Sequence, residues 1–307
     1  MTEPSIFQNP KSGSIKVTGN YQVVDETGQV ITQVTDPKLC GCGLSQDKPF
    51  CDKSHANYVS IVTTALENAR RTAKAINPFG TWALRANEIR QRSLEHRLAA
   101  GENLVGVKFG GALLKKNEGE KRYEGIFGFL TDAMHITGAM KLNEYIHPMA
   151  EAEVVFKLAE ELNRPIELAE VTRFVSEVAA GIEVFDCRYG AIDPYIDDAI
   201  ADNACAAGFA IGEWVDAKQV DFENAKITIY ENSALNQEVA ANSIAGNPWL
   251  AVVNASKKLT EAGVKLPKGS IIFSGSATTG IPMQVGNYRV EIKAAGIEFG
   301  AVEVKVN

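Results

Sequence analysis

Two groups of residues in this 307-residue chain have the types and spacing to hold metal. The first lies in LCGCGLSQDKPFCDKSH, where Cys40, Cys42, Cys51 and His55 are spaced Cys-x-Cys, eight residues, Cys, three residues, His. Three thiolates and one imidazole suit a tetrahedral Zn²⁺ or a [2Fe–2S] cluster, and ligand chemistry by itself does not choose between them. The second lies in HPMAEAEVVFKL, where Glu151 and Glu153 stand two apart on an expected strand. Strand side chains alternate, so both carboxylates point to one face. Like charges on one face repel, and a divalent cation is the usual remedy. Glu183, an acidic residue inside the apolar stretch AAGIEVFDCRY, is a third candidate. Three carboxylates suit a hard octahedral cation, Mg²⁺ or Mn²⁺. The plainer alternatives are a zinc knuckle that pins the N-terminus and a solvated strand face, the latter weakened by Glu183.

The elements that position these residues follow from patterning. Residues 14–35 alternate β-branched or aromatic residues with polar ones, and Asp25-Glu26-Thr27-Gly28 supplies a hairpin turn. Residues 60–77 and 81–100 have helical periodicity, broken by Asn77-Pro78-Phe79-Gly80. The second of these places Trp82, Ile89, Leu94 and Leu98 between Arg85, Glu88, Arg90, Arg92, Glu95 and Arg97. Interleaved glutamates make it a solvated, salt-bridged face rather than a nucleic-acid surface. From Leu104 the chain is strand-rich, with helical segments at 167–179 and 247–263. The expected fold class is α+β: a small β-rich domain, then a mainly antiparallel β core with flanking helices.

Composition bounds the rest. Hydrophobic residues make up 45% and charged residues 22%, as in a globular protein. A net charge of −7 argues against non-specific binding to nucleic acid or anionic membranes. Five cysteines are too few for a disulfide scaffold, and Cys187 and Cys205 read as buried thiols. His96 and His135 read as surface or structural residues, and His147 as a turn residue or a neighbour of the metal. The N-terminus lacks a signal-peptide pattern and no uncharged run reads as a membrane span, so a cytoplasmic protein is expected.

The cysteine segment resembles the CDGSH iron–sulfur domain over residues 12–56. Ser45, Pro49, Cys51, Asp52, Ser54 and His55 fall in register with its motif, and Lys53 stands where the family usually has Gly. That resemblance implies a [2Fe–2S] cluster on Cys40, Cys42, Cys51 and His55. Residues 101–307 are similar to the 2-oxopent-4-enoate hydratases and 4-oxalocrotonate decarboxylases of the fumarylacetoacetase superfamily. The matching stretches are NLVGVKFGG, IFGFLTD, YIHPMAEAEVVF, GIEVFDCRYG, IADNACAAGFAIG and GSIIFSGSATTGIPMQVGN. By that resemblance Glu151, Glu153 and Glu183 ligate Mg²⁺ or Mn²⁺, and Lys108 faces the substrate as the catalytic lysine. Ile126, Cys205 and Ser276 are the implied substrate contacts. Ile126-Phe127-Gly128, His147-Pro148 and Arg188-Tyr189 look more like the decarboxylase branch, the hydratases having Asp at position 126. Cys205 replaces a family serine, and Gly111-Ala112-Leu113 departs from the family's Leu-Thr-Ser.

The resemblance thus implies two domains, 1–58 for the cluster and 59–307 for catalysis. The implied activity is decarboxylation of an unsaturated 2-oxo diacid in aromatic-compound catabolism. The competing expectations are a 2-hydroxypenta-2,4-dienoate hydratase and a redox protein whose C-terminal domain has lost catalysis. A small-molecule 2-oxo acid is the expected partner, with a homo-oligomer, a redox partner for the cluster, and neither nucleic acid nor membrane.

Overall fold

The computed structural model describes residues 5–9, 14–41, 45–77, 85–115, 121–190, 195–294 and 297–307. Of these, the side chains of His55, 111–115, 121–124 and Glu298 are not described.

The N-terminal segment is β-rich, as its alternation implies. Ser5–Gln8, Ile15–Thr18 and Lys38–Leu39 form a three-stranded sheet, and Asn20–Val24 pairs with Val30–Thr35. Asp25 Oδ1 closes the intervening turn, accepting from the backbone of Thr27 and Gln29 at 2.9 Å each. A short 3-10 turn, Ser54–Asn57, runs straight into the helix Tyr58–Thr72. That helix buries Tyr58, Val59, Val62, Leu66 and Ala69, one stripe at helical spacing, and ends at Ala73 in the left-handed conformation.

The helix Ala86–Ala99 corrects one expectation. Its arginine face is not wholly solvated: Arg90 and Arg97 are each only 4% exposed. Arg97 Nε meets Glu67 Oε1 at 3.2 Å, and Arg90 Nη1 donates to the Phe127 carbonyl at 2.7 Å with its guanidinium 3.6 Å above the Phe127 ring. The cause is the strand beneath. Lys121–Thr131 is an edge strand of the main sheet, so its outer backbone groups lack a neighbouring strand. Arg90 satisfies one of them.

The main sheet has the strand order 206–211, 175–185, 149–158, 271–273, 104–115, 121–131, with 215–216 and 281–282 attached. Among the described residues its strands pair antiparallel except 271–273 against 104–115. A second sheet orders 234–240, 226–231, 286–294, 302–306 and 139–140. One apolar core joins the two sheets and the helix Trp249–Glu261. This is the α+β, mainly antiparallel class that the sequence implies. A second correction concerns 167–179: only Val171–Phe174 is α-helical, after a 3-10 turn at Leu168–Glu170, and the strand begins at Val175. Val175, Val178, Ala179 and Ala180 are buried between sheet neighbours, and that tertiary burial overrides the local helical pattern.

Candidate functional site

The strand Met149–Leu158 is central to the main sheet, and the long strand Val175–Phe185 pairs with it so that Glu183 lies directly opposite Glu151. Glu153, two residues along, shares the face of Glu151. One oxygen from each of Glu151, Glu153 and Glu183 lies within 4.8 Å of the others. Glu153 and Glu183 are fully buried and Glu151 partly so. Glu153 Oε2 accepts from the Gly275 backbone at 2.9 Å, while Glu153 Oε1 and both oxygens of Glu183 find no hydrogen-bond donor. Like charges directly opposite on a sheet are destabilising, and buried acceptors without donors are costly.

Lys108 comes from the strand Leu104–Lys115, separated from Met149–Leu158 only by the short strand Ile271–Phe273. That short strand ends at Phe273, level with Lys108. The Lys108 ammonium reaches Glu183 Oε1 at 3.1 Å, an ion-pair distance without hydrogen-bond alignment. Burial alone would depress its pKa; Glu183, Glu151 and Glu153 outweigh that and hold it above the ordinary lysine value. Burial and the charge of Glu183 push Glu151 up to about 7 against the pull of Lys108. The same causes, with Glu151 added, push Glu153 well above the ordinary carboxylate range. Three carboxylates around one ammonium are thus over-supplied with negative charge. Oxygen donors alone, buried and short of donors, match a hard divalent cation.

The remaining expected residues fall at different distances from this centre. Ile126 is opposite Gly110 and Gly128 opposite Lys108, so Ile126 shares the face of Lys108. Cys205 is buried in the same apolar cluster as Ile126, and its charge would raise the pKa of Lys108. Ser276 is half-buried on the loop that gives Gly275 to Glu153, but its hydroxyl donates to the Thr278 carbonyl at 2.7 Å. His147 is a turn residue: Asp186 accepts from the backbone of Ile146 at 3.0 Å and of His147 at 2.6 Å.

Sequence reading missed the groups that fix these elements. Ser274 Oγ and Thr278 Oγ1 accept from the Val154 and Ala152 backbone at 3.1 and 3.4 Å, so 274–278 continues along the carboxylate strand. The run SGSATTG after an apolar strand was the available signal. Asn203 completes the edge strand: Phe129 N donates to its Oδ1 at 2.7 Å and its Nδ2 donates to Phe129 O at 2.9 Å. A Cβ at Gly128 would fall 2.1 Å from the Asn203 carbonyl, so only glycine permits this approach.

At the cysteine-rich segment an antiparallel bridge joins Leu39 to Phe50. Cys40 N donates to Pro49 O at 2.8 Å and Cys51 N to Lys38 O at 2.7 Å, which sets Cys40 opposite Pro49 and Cys51 opposite Lys38, diagonal to each other across the bridge. Asp52 holds the loop, accepting from Gln46 N at 2.9 Å and Ser54 N at 2.8 Å, and the Ser54 hydroxyl leads in lowering its carboxyl to about 2. Lys53 keeps the left-handed conformation, φ 73°, that the family's glycine serves. Cys42 and the His55 side chain lie outside the described residues.

Residues 12–56 match the family model for the iron-binding zinc finger of CDGSH type. The chain is 30% identical over 215 residues to a 4-oxalocrotonate decarboxylase of a Pseudomonas species, covering 69% of this chain and 83% of the relative. It is 34% identical over 176 residues to the 2-hydroxypent-2,4-dienoate hydratase of Pseudomonas putida, covering 54% of this chain and 79% of the relative. Its fold is that of the 4-oxalocrotonate decarboxylase from Pseudomonas putida G7, solved with magnesium and adipate: TM-score 0.73 at 24% identity, over 82% of this chain and 98% of the other. No helix among the described residues is long and apolar enough to cross a membrane.

Proposed function

The chain belongs to the lyase family of 4-oxalocrotonate decarboxylases and 2-oxopent-4-enoate hydratases, with a CDGSH-type iron-binding segment at its N-terminus, and from that premise we propose that it removes CO₂ from an unsaturated 2-oxo diacid of the 2-oxo-3-hexenedioate type. The observation that carries this reading is Lys108 buried against the carboxylate trio with apolar Ile126 on its face of the sheet. The adipate held by the structural neighbour is itself a dicarboxylate, which supports a diacid.

A Mg²⁺ or Mn²⁺ ion held by Glu151, Glu153 and Glu183 would supply Lewis-acid stabilisation of the charge that develops on the keto oxygen. The three donorless carboxylate oxygens are the groups that call for it. Lys108 stays protonated, anchors a substrate carboxylate and is placed to return a proton from Nζ. Loss of CO₂ breaks the bond to the distal carboxylate. Its electron pair passes through the conjugated double bond to the keto oxygen, and the dienolate is protonated afterwards. Ile126 and Cys205 give the departing group apolar, water-poor surroundings. The loop of Ser276 closes the carboxylate side.

Hydration of a 2-hydroxypenta-2,4-dienoate is the second reading, favoured by the identity to the hydratase relative. It requires a base for water, which Ile126 cannot provide. Both substrates assayed with Mg²⁺ on one preparation decide: CO₂ release from the diacid supports decarboxylation, and turnover of the dienoate alone overturns it. The proposal extends to a [2Fe–2S] centre on Cys40, Cys42, Cys51 and His55, domains at 1–58 and 59–307, a role in aromatic-compound breakdown, a cytoplasmic homo-oligomer and a redox partner for the cluster. Iron and sulfide analysis and the visible spectrum test the cluster assignment.

A further inference from the structure

Cys187 and Cys205, the latter beside the proposed substrate site, meet an aspartate in the interior. One ligand atom from each of Cys187, Asp202 and Cys205 lies within 4.8 Å of the others, and all three residues are buried. The backbone is bent to bring them together. Asp186 N donates to Cys205 O at 2.9 Å, Cys205 N to Asp202 O at 2.8 Å, and Arg188 N to Asp202 Oδ2 at 2.9 Å. Asn203, Ala204 and Cys205 are all left-handed, with φ of 56°, 53° and 58°. Each such non-glycine residue is strained, and such conformations persist where the surroundings over-determine them. Here the Asn203 amide, clamped on Phe129, and Arg188 hold the segment. Arg188 donates to the Asp186 and Ala206 carbonyls at 2.6 Å each and lies 3.4 Å from Asp202 Oδ1 through Nε.

Charge decides what such a group can take. With both thiols protonated, Asp202 and Arg188 balance, and the neighbouring Asp186 adds a charge that is the same before and after the exchange. A dication that displaces the two thiol protons meets two thiolates and one carboxylate, and together with Arg188 the site is again neutral. The exchange is one dication in and two protons out, with no electron transferred. Burial penalises net charge, so it does not oppose this exchange. Thiolate donors select a soft or borderline ion over Mg²⁺. We propose that Cys187, Cys205 and Asp202 form a second cation site, for a soft dication such as Zn²⁺, separate from the carboxylate trio. Three protein donors leave a tetrahedral ion one position for an outside ligand. The protons are held firmly: contact with the Cys187 thiol and burial raise Cys205, and burial raises Asp202 to about 6, so uptake weakens steeply with acid.

The test uses the full-length protein with its iron centre loaded, stripped of other dications and titrated with Zn²⁺ in weak buffer with excess Mg²⁺ present to fill the carboxylate trio. The expected result is one Zn²⁺ per chain, two protons released, and an X-ray absorption spectrum with two sulfur neighbours at about 2.3 Å. Cys187→Ser and Cys205→Ser should each weaken binding by more than the about 10–100-fold that loss of an outer partner costs. The absorption measurement needs only the wild type, so it stands should either variant fail to fold. A sulfur-free sphere, a three-sulfur sphere from the iron segment, undiminished binding in both serine variants, or a Cys187–Cys205 disulfide in the purified protein would each overturn the proposal.

Discussion

Glu153→Gln separates a metal site from a structural ion-pair network, because the two predict opposite signs. At an effective dielectric of about 20, two unit charges 4.8 Å apart repel by about 3.5 kcal/mol. Glu153 has two carboxylate neighbours at or within that separation and one opposing ammonium on Lys108. With all groups ionised, removing its charge therefore relieves about 3 kcal/mol. Gln keeps an oxygen to accept from Gly275 N. At mildly alkaline pH and without metal, E153Q should melt above wild type by about 6–12 °C, at about 2–4 °C per kcal/mol for a chain of this size. Added Mg²⁺ reverses the order: at about 1,000 times its Kd it stabilises wild type by about 4.1 kcal/mol and leaves E153Q nearly unmoved. Thermal unfolding of both proteins with and without Mg²⁺ reads this directly. The reasoning is refuted by an E153Q that melts below wild type by the about 3–5 kcal/mol typical of a broken buried ion pair. It is equally refuted by an unchanged Mg²⁺ response.

Four further outcomes follow from the same geometry. Glu151 has a folded pKa raised to about 7, so below that pH a proton must leave before a dication binds; Mg²⁺ affinity measured by calorimetry should fall by up to about tenfold per pH unit below neutrality and level off above it. The sign inverts for the metal-free fold: a raised carboxyl pKa stabilises at low pH, and that stability is lost as pH rises from 4.5 to about 7, which urea unfolding without metal would show. Asn203→Ala leaves the Phe129 N–H and C=O unpaired at the sheet edge, costing about 2–4 kcal/mol in denaturant midpoints, whereas a loss under 1 would mean the edge is satisfied otherwise. Ile126→Asp should slow CO₂ release and raise dienoate hydration, and a variant that gains neither base chemistry nor loses decarboxylation would count against Ile126 as the discriminating wall.

The local patterns that proved legible are those a single strand or motif carries. Glu-x-Glu on an alternating strand put Glu151 and Glu153 on one face, and the acidic residue in an apolar strand, Glu183, lies opposite Glu151. The Asp25–Gly28 turn and the helix near 247–263 are read from the same short-range chemistry. What was hidden is long-range. The burial of Arg90 and Arg97 depends on partners 30 or more residues away, the edge strand at Phe127 and the helix at Glu67, so interleaved charges looked like a solvated face. The helical pattern at 167–179 lost to sheet burial from Val175 onward. Cys187 and Cys205 read as separate buried thiols; their meeting with Asp202 depends on a left-handed stretch without glycine, which sequence patterning does not announce.

The most direct test of the central claim is CO₂ release from 2-oxo-3-hexenedioate by the full-length protein, followed with and without Mg²⁺ in wild type and Glu183→Gln. The account predicts one CO₂ per substrate consumed, dependent on Mg²⁺ and abolished in E183Q. Release that persists without a divalent cation, or survives the loss of Glu183, would contradict it.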